Sequence, residues 1–262
     1  MSENRIIIEQ FNKGAQNFDS WSVTQDERMI RGLSDFCGLS KEDHMLDVAC
    51  GTGAFSLFSA GMVESVTGVD ISEGMISIAR KNAKKRSVEN ISFYCQDVES
   101  IELEDHLFSI VVSKSAFHHM KNYQKVFSGM VNYCQDGGRI CIQDIMAYDN
   151  DKLDSFFEQM ELLIDASHYK TYSKREFFNL YKENSIKLAS VFESESKLDF
   201  YDYVGHVVQS DLSCNKIKEL LEKGLKDPEI ASCFVEEDGR LLWKRKVCTI
   251  IGHKDKKNII GS

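Results

Sequence analysis

Three aspartates that each follow a short apolar run are the residues whose types and spacing most suggest ligand binding. They stand in the segments "MLDVACGTGAFS", "SVTGVDIS" and "FYCQDVES", as Asp47, Asp70 and Asp97. After the first of them, small residues occupy alternate positions: Ala49, Gly51 and Gly53. Because small residues let the backbone approach a ligand closely, we predict that this loop forms part of a binding site.

The charge of Asp47 and the missing third glycine indicate which ligand the loop holds. A dinucleotide loop of the G-x-G-x-x-G type needs a glycine three residues after Gly53, where this sequence has Ser56. The Asp47 carboxylate would also repel a pyrophosphate, whereas it would attract a cation. S-adenosylmethionine (SAM) carries an ammonium and a sulfonium, so the loop favours SAM. An NAD-dependent oxidoreductase is the weaker alternative.

The two later aspartates suit a nucleoside. A carboxylate at Asp70 can accept hydrogen bonds from both ribose hydroxyls, although NAD-binding proteins use the same device. Ile71 beside it offers an apolar surface for one adenine face. Asp97, with Val98 next to it, offers an acceptor for the adenine amino group.

The elements that position these residues alternate between strand-like and helix-like segments, after N-terminal helices. The pattern predicts strands over 44–49, 65–72 and 108–112, with two more in "ENISFYCQDVES" and "RICIQDIM". Such alternation is typical of an α/β protein with a doubly wound parallel sheet. Ligands bind these sheets outside the carboxyl ends of the strands. The residues expected at those ends are Asp47, Asp70, Asp97, Ser113 and Asp144.

Five segments, taken in order, are similar to the class I SAM-dependent methyltransferases, above all those of the ubiquinone- and menaquinone-biosynthesis type. They read "LDVACGTG", "VTGVDISEGM", "FYCQDVES", "FSIVVSKSAFHHM" and "DGGRICIQD". The resemblance implies one domain over 1–262 with a Rossmann-like, seven-stranded sheet. Its parts would be an N-terminal helical cap (1–40), a cofactor-binding core (41–150), an inserted helical lid with an edge strand (151–240) and a last strand (241–254).

The same resemblance implies a set of cofactor contacts. Those for the methionine part are Asp47, Ala49, Cys50, Gly51, Gly53 and Ser113. Those for the ribose and adenine are Asp70, Ile71, Met75, Gln96, Asp97 and Val98. The segment "NFDSW" is similar to the family's early aromatic segment, so Phe18 and Trp21 are expected to close over the cofactor.

Methyl transfer from SAM depends chiefly on proximity and alignment, since the methyl group is already activated. In "AFHHM", His118 and His119 follow the fourth strand, close to where the methyl group should point. Either histidine can serve as a general base if the acceptor arrives protonated. The alternative is that the pair is structural. No third ligand accompanies these histidines in the sequence, so we predict no metal site.

The chain after residue 150 is the candidate acceptor region. In "SKREFFNLY", Ser173 and Glu176 form a capping box that begins a helix. An apolar stripe is mostly core by default, although part of it is a pocket candidate, and ordinary packing explains an aromatic cluster almost as well as an acceptor site does. The predicted acceptor-pocket residues are Asp144, Phe156, Met160, His168, Tyr169 and Tyr201.

Composition limits the possible partners. A formal net charge of −9 over 262 residues argues against capture of a nucleic-acid backbone. No apolar run is long enough to span a membrane, and the N-terminus lacks a signal-peptide pattern. None of the eight cysteines forms a C-x-x-C pair, which indicates reduced thiols in a cytoplasmic protein. We expect a monomer or homodimer.

The predicted function is methyl transfer from SAM to a small-molecule acceptor. Two alternatives stay open, a SAM-binding sensor or partner protein without catalysis and a methyltransferase that acts on RNA or protein. The sequence leaves open which atom of the acceptor, O, N, S or C, is methylated.

Overall fold

A computed structural model describes residues 4–104, 107–207 and 210–256 of the chain. Its centre is a sheet in the order β3-β2-β1-β4-β5-β8-β6, with β7 paired to β8. The first five strands are parallel, and β8 runs antiparallel to β5, β6 and β7. This confirms the predicted doubly wound α/β fold. The strands are β1 His44–Val48, β2 Ser65–Asp70, β3 Ile91–Cys95, β4 Phe108–Lys114, β5 Cys134–Ile145, β6 Ile186–Asp199, β7 Phe234–Glu237 and β8 Arg240–Lys254.

Helices pack on both faces of the sheet. They are α1 Arg5–Ser20, α2 Glu27–Cys37, α3 Ala54–Ser59, α4 Glu73–Lys85, α5 Tyr123–Tyr133, α6 Asp151–Ile164, α7 Lys174–Glu183, α8 Phe200–His206, α9 Asp211–Gly224 and α10 Pro228–Ala231. A short 3₁₀ turn spans Phe117–His119. The capping box predicted at Ser173 and Glu176 begins α7. No helix among the described residues is long and apolar enough to cross a membrane.

The strand order reverses between β1 and β4, and this places the site. After β1 the chain moves outward through β2 and β3, and it returns to the other side of β1 with β4. The carboxyl ends of β1 and β4 therefore lie side by side at the topological switch point, where ligands bind in such sheets. The fourth strand is longer than predicted, because it ends at Lys114 and not at Val112.

Buried apolar clusters hold these layers together. One lies on one face of the parallel sheet, between β4 and β5 and the helices α5 and α7, and another, around Leu33 and Met45, fills the opposite face. A further cluster, called the second core below, surrounds Trp243 of β8 and is built with α6, α8 and α9. Because the second core joins β8 to the helices beyond residue 150, it fixes the wall that faces the carboxyl ends of the strands.

The loop between β1 and α3 depends on a glycine at its end. Gly53 has a φ of +77°, and a Cβ at this position would lie 2.7 Å from Cζ of Phe93. We expect Gly53→Ala to lower the free energy of unfolding by about 1–3 kcal/mol, measured by urea denaturation.

Gly32→Ala is the matched control. Gly32 lies on α2, and a Cβ there would meet nothing within 4 Å. The control is expected to raise the free energy of unfolding by roughly 0.5–1 kcal/mol. If Gly53→Ala were no more destabilising than Gly32→Ala, the close packing against Phe93 would not limit this position.

Candidate cofactor and acceptor site

A cavity of about 270 Å³ lies at the carboxyl ends of β1, β2 and β4. Its walls come from α1, from the loop after β1 and from the turn after β4. The end of β6, the middle of β8 and the helix α8 complete it. In the order of the sheet, it extends from the β2 side, at Asp70, to the β8 side, at Arg245.

The structure brings many of the predicted residues together around this cavity. Those from the glycine-rich loop and the next strand end lie beside the aromatic residues of the N-terminal segment and both histidines. The predicted residues that line the cavity are Phe18, Trp21, Asp47, Ala49, Cys50, Gly51, Asp70, Ile71, Met75, Asp97, Val98, His118 and His119.

Three predicted cofactor residues lie outside the cavity, each for a different reason. Gly53 caps α3 and packs against a phenylalanine ring. The side chain of Gln96 bonds to the backbone of Glu102 through both its amide and its carbonyl, at 3.0 and 2.8 Å. Ser113 is fully buried with an unpartnered hydroxyl, because strand alternation turns it away from the face that carries Asp47.

Five predicted acceptor-pocket residues also lie elsewhere. Phe156 and Met160 pack into the second core, as the structural alternative expected. Tyr169 and Tyr201 point outward, with 46% and 65% of their surface exposed. His168 is buried 3.3 Å (Nε2 to Oε2) from Glu158. Apolar spacing in the sequence identified buried residues here, but it could not show which of them face a cavity.

Asp47 is a buried carboxylate at the end of β1. Its Oδ2 accepts a hydrogen bond of 2.5 Å from the hydroxyl of Ser56, the residue that replaces the third glycine. Burial raises the pKa of Asp47 to about 6, and the nearby Asp70 carboxylate adds to that rise. The hydrogen bond from Ser56 and the positive charge of Lys114 oppose it.

Asp70 and Asp97 each accept two hydrogen bonds from the protein, but from different kinds of donor. Asp70 is oriented by the backbone N–H groups of Gly51 and Ser72, each at 2.9 Å from one of its oxygens. Asp97 accepts from the side chain of Asn4 at 2.8 Å and from the backbone of Glu99 at 2.9 Å. Asn4 directly precedes α1, and Asn12 of α1 accepts a hydrogen bond from the Ser72 hydroxyl. These two contacts link the N-terminal helix to this end of the cavity.

The two adjacent histidines have different partners, which the sequence did not reveal. Nδ1 of His118 lies 2.6 Å from Oδ1 of Asp144. Asp144, expected in the acceptor pocket, lies behind His118 and also accepts from the backbone N–H groups of Ala116 and Ile145. Burial alone would lower the pKa of His118, but the Asp144 carboxylate outweighs it and the pKa is raised.

His119 is held as a neutral ring. Its Nδ1 lies 3.1 Å from the backbone carbonyl of Ser167, so Nδ1 carries the proton. Burial, together with the charge of His118, whose ring centroid is 4.1 Å away, lowers the pKa of His119 to about 3. The structure therefore assigns the stronger base to His118 and a weakly basic ring to His119.

The β8 side of the cavity contains charged residues that sequence reasoning missed. Arg245 forms a buried ion pair with Glu161, and the Tyr203 hydroxyl donates to the same carboxylate at 2.6 Å. Asp165 also lines the cavity, and its Oδ1 accepts from Ser167. In the sequence, only strand alternation points to Arg245, because it places Arg245 on the same face of β8 as Trp243.

Aromatic residues roof this side of the cavity. The His206 ring stacks on Trp21 with centroids 3.9 Å apart, and Phe18 meets His206 edge-on at 4.8 Å. The Trp21 indole also donates to Asp202 of α8 at 2.9 Å. The early aromatic segment therefore reaches across the cavity to α8.

The donor set fits SAM. Gly51 lines the cavity at a position where a Cβ would meet nothing within 4 Å, so the backbone there is open to a ligand. The buried carboxylates of Asp47 and Asp70 suit a molecule with a cationic end and vicinal hydroxyls, and Ile71 and Met75 add apolar surface. Within the described part of the chain, no group of three or more His, Cys, Asp or Glu residues is arranged for a metal ion.

Comparison with known proteins agrees with this geometry. Residues 39–224 match a family model described as a methyltransferase domain. The chain is 28% identical over 176 residues to the uncharacterized methyltransferase YcgJ of Bacillus subtilis, a match covering 67% of this chain and 70% of that protein. The crystal structure of YcgJ aligns with a TM-score of 0.79 at 21% identity, covering 87% of this chain and 99% of that one. A ubiquinone biosynthesis O-methyltransferase of Coxiella burnetii is 31% identical over 105 residues, or 40% of this chain and 44% of that protein.

The fold and the site define a class I methyltransferase. The chain belongs to the methyltransferase-domain family, and it is a SAM-dependent methyltransferase. The resemblance seen in the sequence, the enzyme class and the cofactor are thus confirmed.

The unequal histidines can be observed directly. In ¹⁵N-labelled protein, we expect the His118 ring to titrate above the ordinary value of about 6.5, and His119 to stay neutral down to about pH 4. Asp144→Asn removes the carboxylate that holds the proton on His118, so the His118 pKa should fall below 6.5. Equal titration of the two rings would contradict the assignment.

Proposed function

We propose that this chain transfers a methyl group from SAM to a small molecule whose reacting atom carries a proton, and that His118 accepts this proton. The observation that supports the proposal is the Asp144–His118 pair at the cavity wall, in the same cavity as the glycine-rich loop. Asp144 holds the proton on Nδ1 of His118, which leaves Nε2 as the basic atom.

The residues on the β2 side would hold the cofactor. Asp47 would attract the ammonium of the methionine part, and Asp70, already oriented by two backbone N–H groups, would accept from the ribose hydroxyls. Ile71 and Met75 would pack against the adenine. When bound, SAM supplies a methyl group that needs no further activation. The tasks left to the protein are alignment, removal of water and acceptance of a proton.

The β8 side would hold the acceptor. Apolar surface from Phe18, Leu198 and Val247 combines there with the polar groups of Asp165 and Arg245. The roof formed by Trp21 and His206 limits this space, which favours a small molecule over a polymer. The net charge of −9 is a further argument against RNA.

The acceptor class can be found by screening. We expect the protein to release S-adenosylhomocysteine when it is mixed with SAM and one class of a panel of phenols, thiols, amines and carbon acids. Asp70→Ala, which removes the proposed ribose contact, should abolish both cofactor binding and release. Tight SAM binding without turnover on any class would instead support the sensor alternative.

The role of His118 can be separated from binding. We expect Asp144→Asn and His118→Gln each to lower kcat by about 10²- to 10⁴-fold, the usual contribution of general-base catalysis. The dissociation constant of S-adenosylhomocysteine, measured by calorimetry, should change little because neither residue is placed at the cofactor. His119→Gln is the control and should affect kcat less. A larger loss in His119→Gln than in His118→Gln would reassign the base.

The pKa of Asp47 predicts how cofactor binding depends on pH. The carboxylate is charged above about pH 6 and neutral below it, and only the charged form attracts the ammonium of S-adenosylhomocysteine. Affinity should therefore rise from pH 5 to pH 7, with a slope of up to roughly tenfold per unit below 6. Asp47→Asn should bind more weakly and without this step. A shared slope in both proteins would place the titrating group elsewhere.

A further inference from the structure

Lys114 has no role in the proposed methyl transfer, and it lies next to Asp47 on the cavity-facing side of the sheet. In the parallel pair of β1 and β4, Asp47 is in register with Val112. Two residues further along β4, on the same face, Lys114 ends the strand and lines the cavity. A cation and an anion therefore stand at neighbouring strand ends.

The ammonium of Lys114 is not in contact with a counter-ion of the protein. Among the residues that the structure describes, none places a carboxylate oxygen within 4.0 Å of its Nζ, and Asp47 and Asp144 act on it from further away. Asp47 already accepts from Ser56, and Asp144 already bonds to His118. Lys114 is half-buried at the cavity wall. A charge that is partly removed from water without a bonded partner is unfavourable, so this cation indicates an anionic ligand group.

A second donor in the same cavity also lacks a partner. Thr52 follows Gly51 in the glycine-rich loop, is 4% exposed and lines the cavity. Its Oγ1 is buried and makes no hydrogen bond within the protein. Buried hydroxyls are normally bonded. Thr52 is thus an independent sign that a ligand group with acceptor oxygens belongs here.

We propose that Lys114, assisted by Thr52, binds the carboxylate of the methionine part of SAM, while Asp47 faces its ammonium. The methionine end is a zwitterion, and the ends of β1 and β4 present one negative and one positive side chain to it. The inference rests on the cofactor and not on the acceptor, so it holds whatever molecule receives the methyl group.

This arrangement makes the site selective for cofactors that keep the whole amino acid. A nucleoside that lacks the carboxylate would leave Lys114 unpaired in the complex. The chain should therefore discriminate against 5′-methylthioadenosine, which has no amino-acid part, and against decarboxylated SAM, which keeps the ammonium and the sulfonium.

Calorimetry with matched ligands tests the proposal without any methyl acceptor. We expect Lys114→Met to raise the dissociation constant of S-adenosylhomocysteine by about 10- to 100-fold, the usual effect of a lost hydrogen bond to a charged group. The dissociation constants of 5′-methylthioadenosine and decarboxylated SAM should change by less than about threefold. Lys114→Arg, which keeps the charge, should restore part of the S-adenosylhomocysteine affinity.

Each other outcome overturns the proposal. An equal loss for S-adenosylhomocysteine and 5′-methylthioadenosine would mean that Lys114 supports the fold or the adenosine. An unchanged S-adenosylhomocysteine affinity would place the carboxylate elsewhere. If no molecule were methylated, the proposed function would fail, but these binding results would be unchanged.

Discussion

The burial of opposite charges at the carboxyl ends of β1, β4 and β5 is the constraint on which the rest of the site depends. Asp47, Lys114 and Asp144 end or nearly end three neighbouring strands, and Lys114 interacts electrostatically with both carboxylates. A parallel sheet allows this because its strand ends meet at one edge, where the strand order reverses and leaves a crevice. Polar partners such as Ser56 and His118 lie beside these strand ends. The aromatic roof of Trp21 and His206 covers the cavity.

The pair His118 and His119 shows how a neighbouring residue decides function. The two rings are adjacent in the chain, yet one meets a carboxylate and the other a backbone carbonyl. A carboxylate stabilises the protonated ring, whereas burial without one stabilises the neutral ring. The hydrogen bond between His118 and Asp144 of β5 therefore makes His118 the stronger base, although the two histidines look equivalent in the sequence.

The second core gives the cavity its far wall. Trp243, α6 and α8 pack together, and that packing holds the buried pair of Glu161 and Arg245 beside the cavity. Buried ion pairs contribute little to stability compared with apolar residues of similar size. The ion pair nevertheless places the Arg245 guanidinium at the cavity wall.

The sequence by itself determined the fold class, from the alternation of strands and helices, and the cofactor, from an acid before small residues and five segments that resemble the class I methyltransferases. Only the tertiary structure decided that Lys114 and Arg245 face the cavity while Ser113 and Met160 do not. The predicted strand over 108–112 ends before Lys114, so strand alternation in the sequence does not assign that residue to a face, whereas the strand in the structure includes it. Arg245 meets Glu161 across 84 positions of the chain. Spacing along a chain shows which residues share a face of one element, but the packing of distant elements decides which faces enclose a cavity.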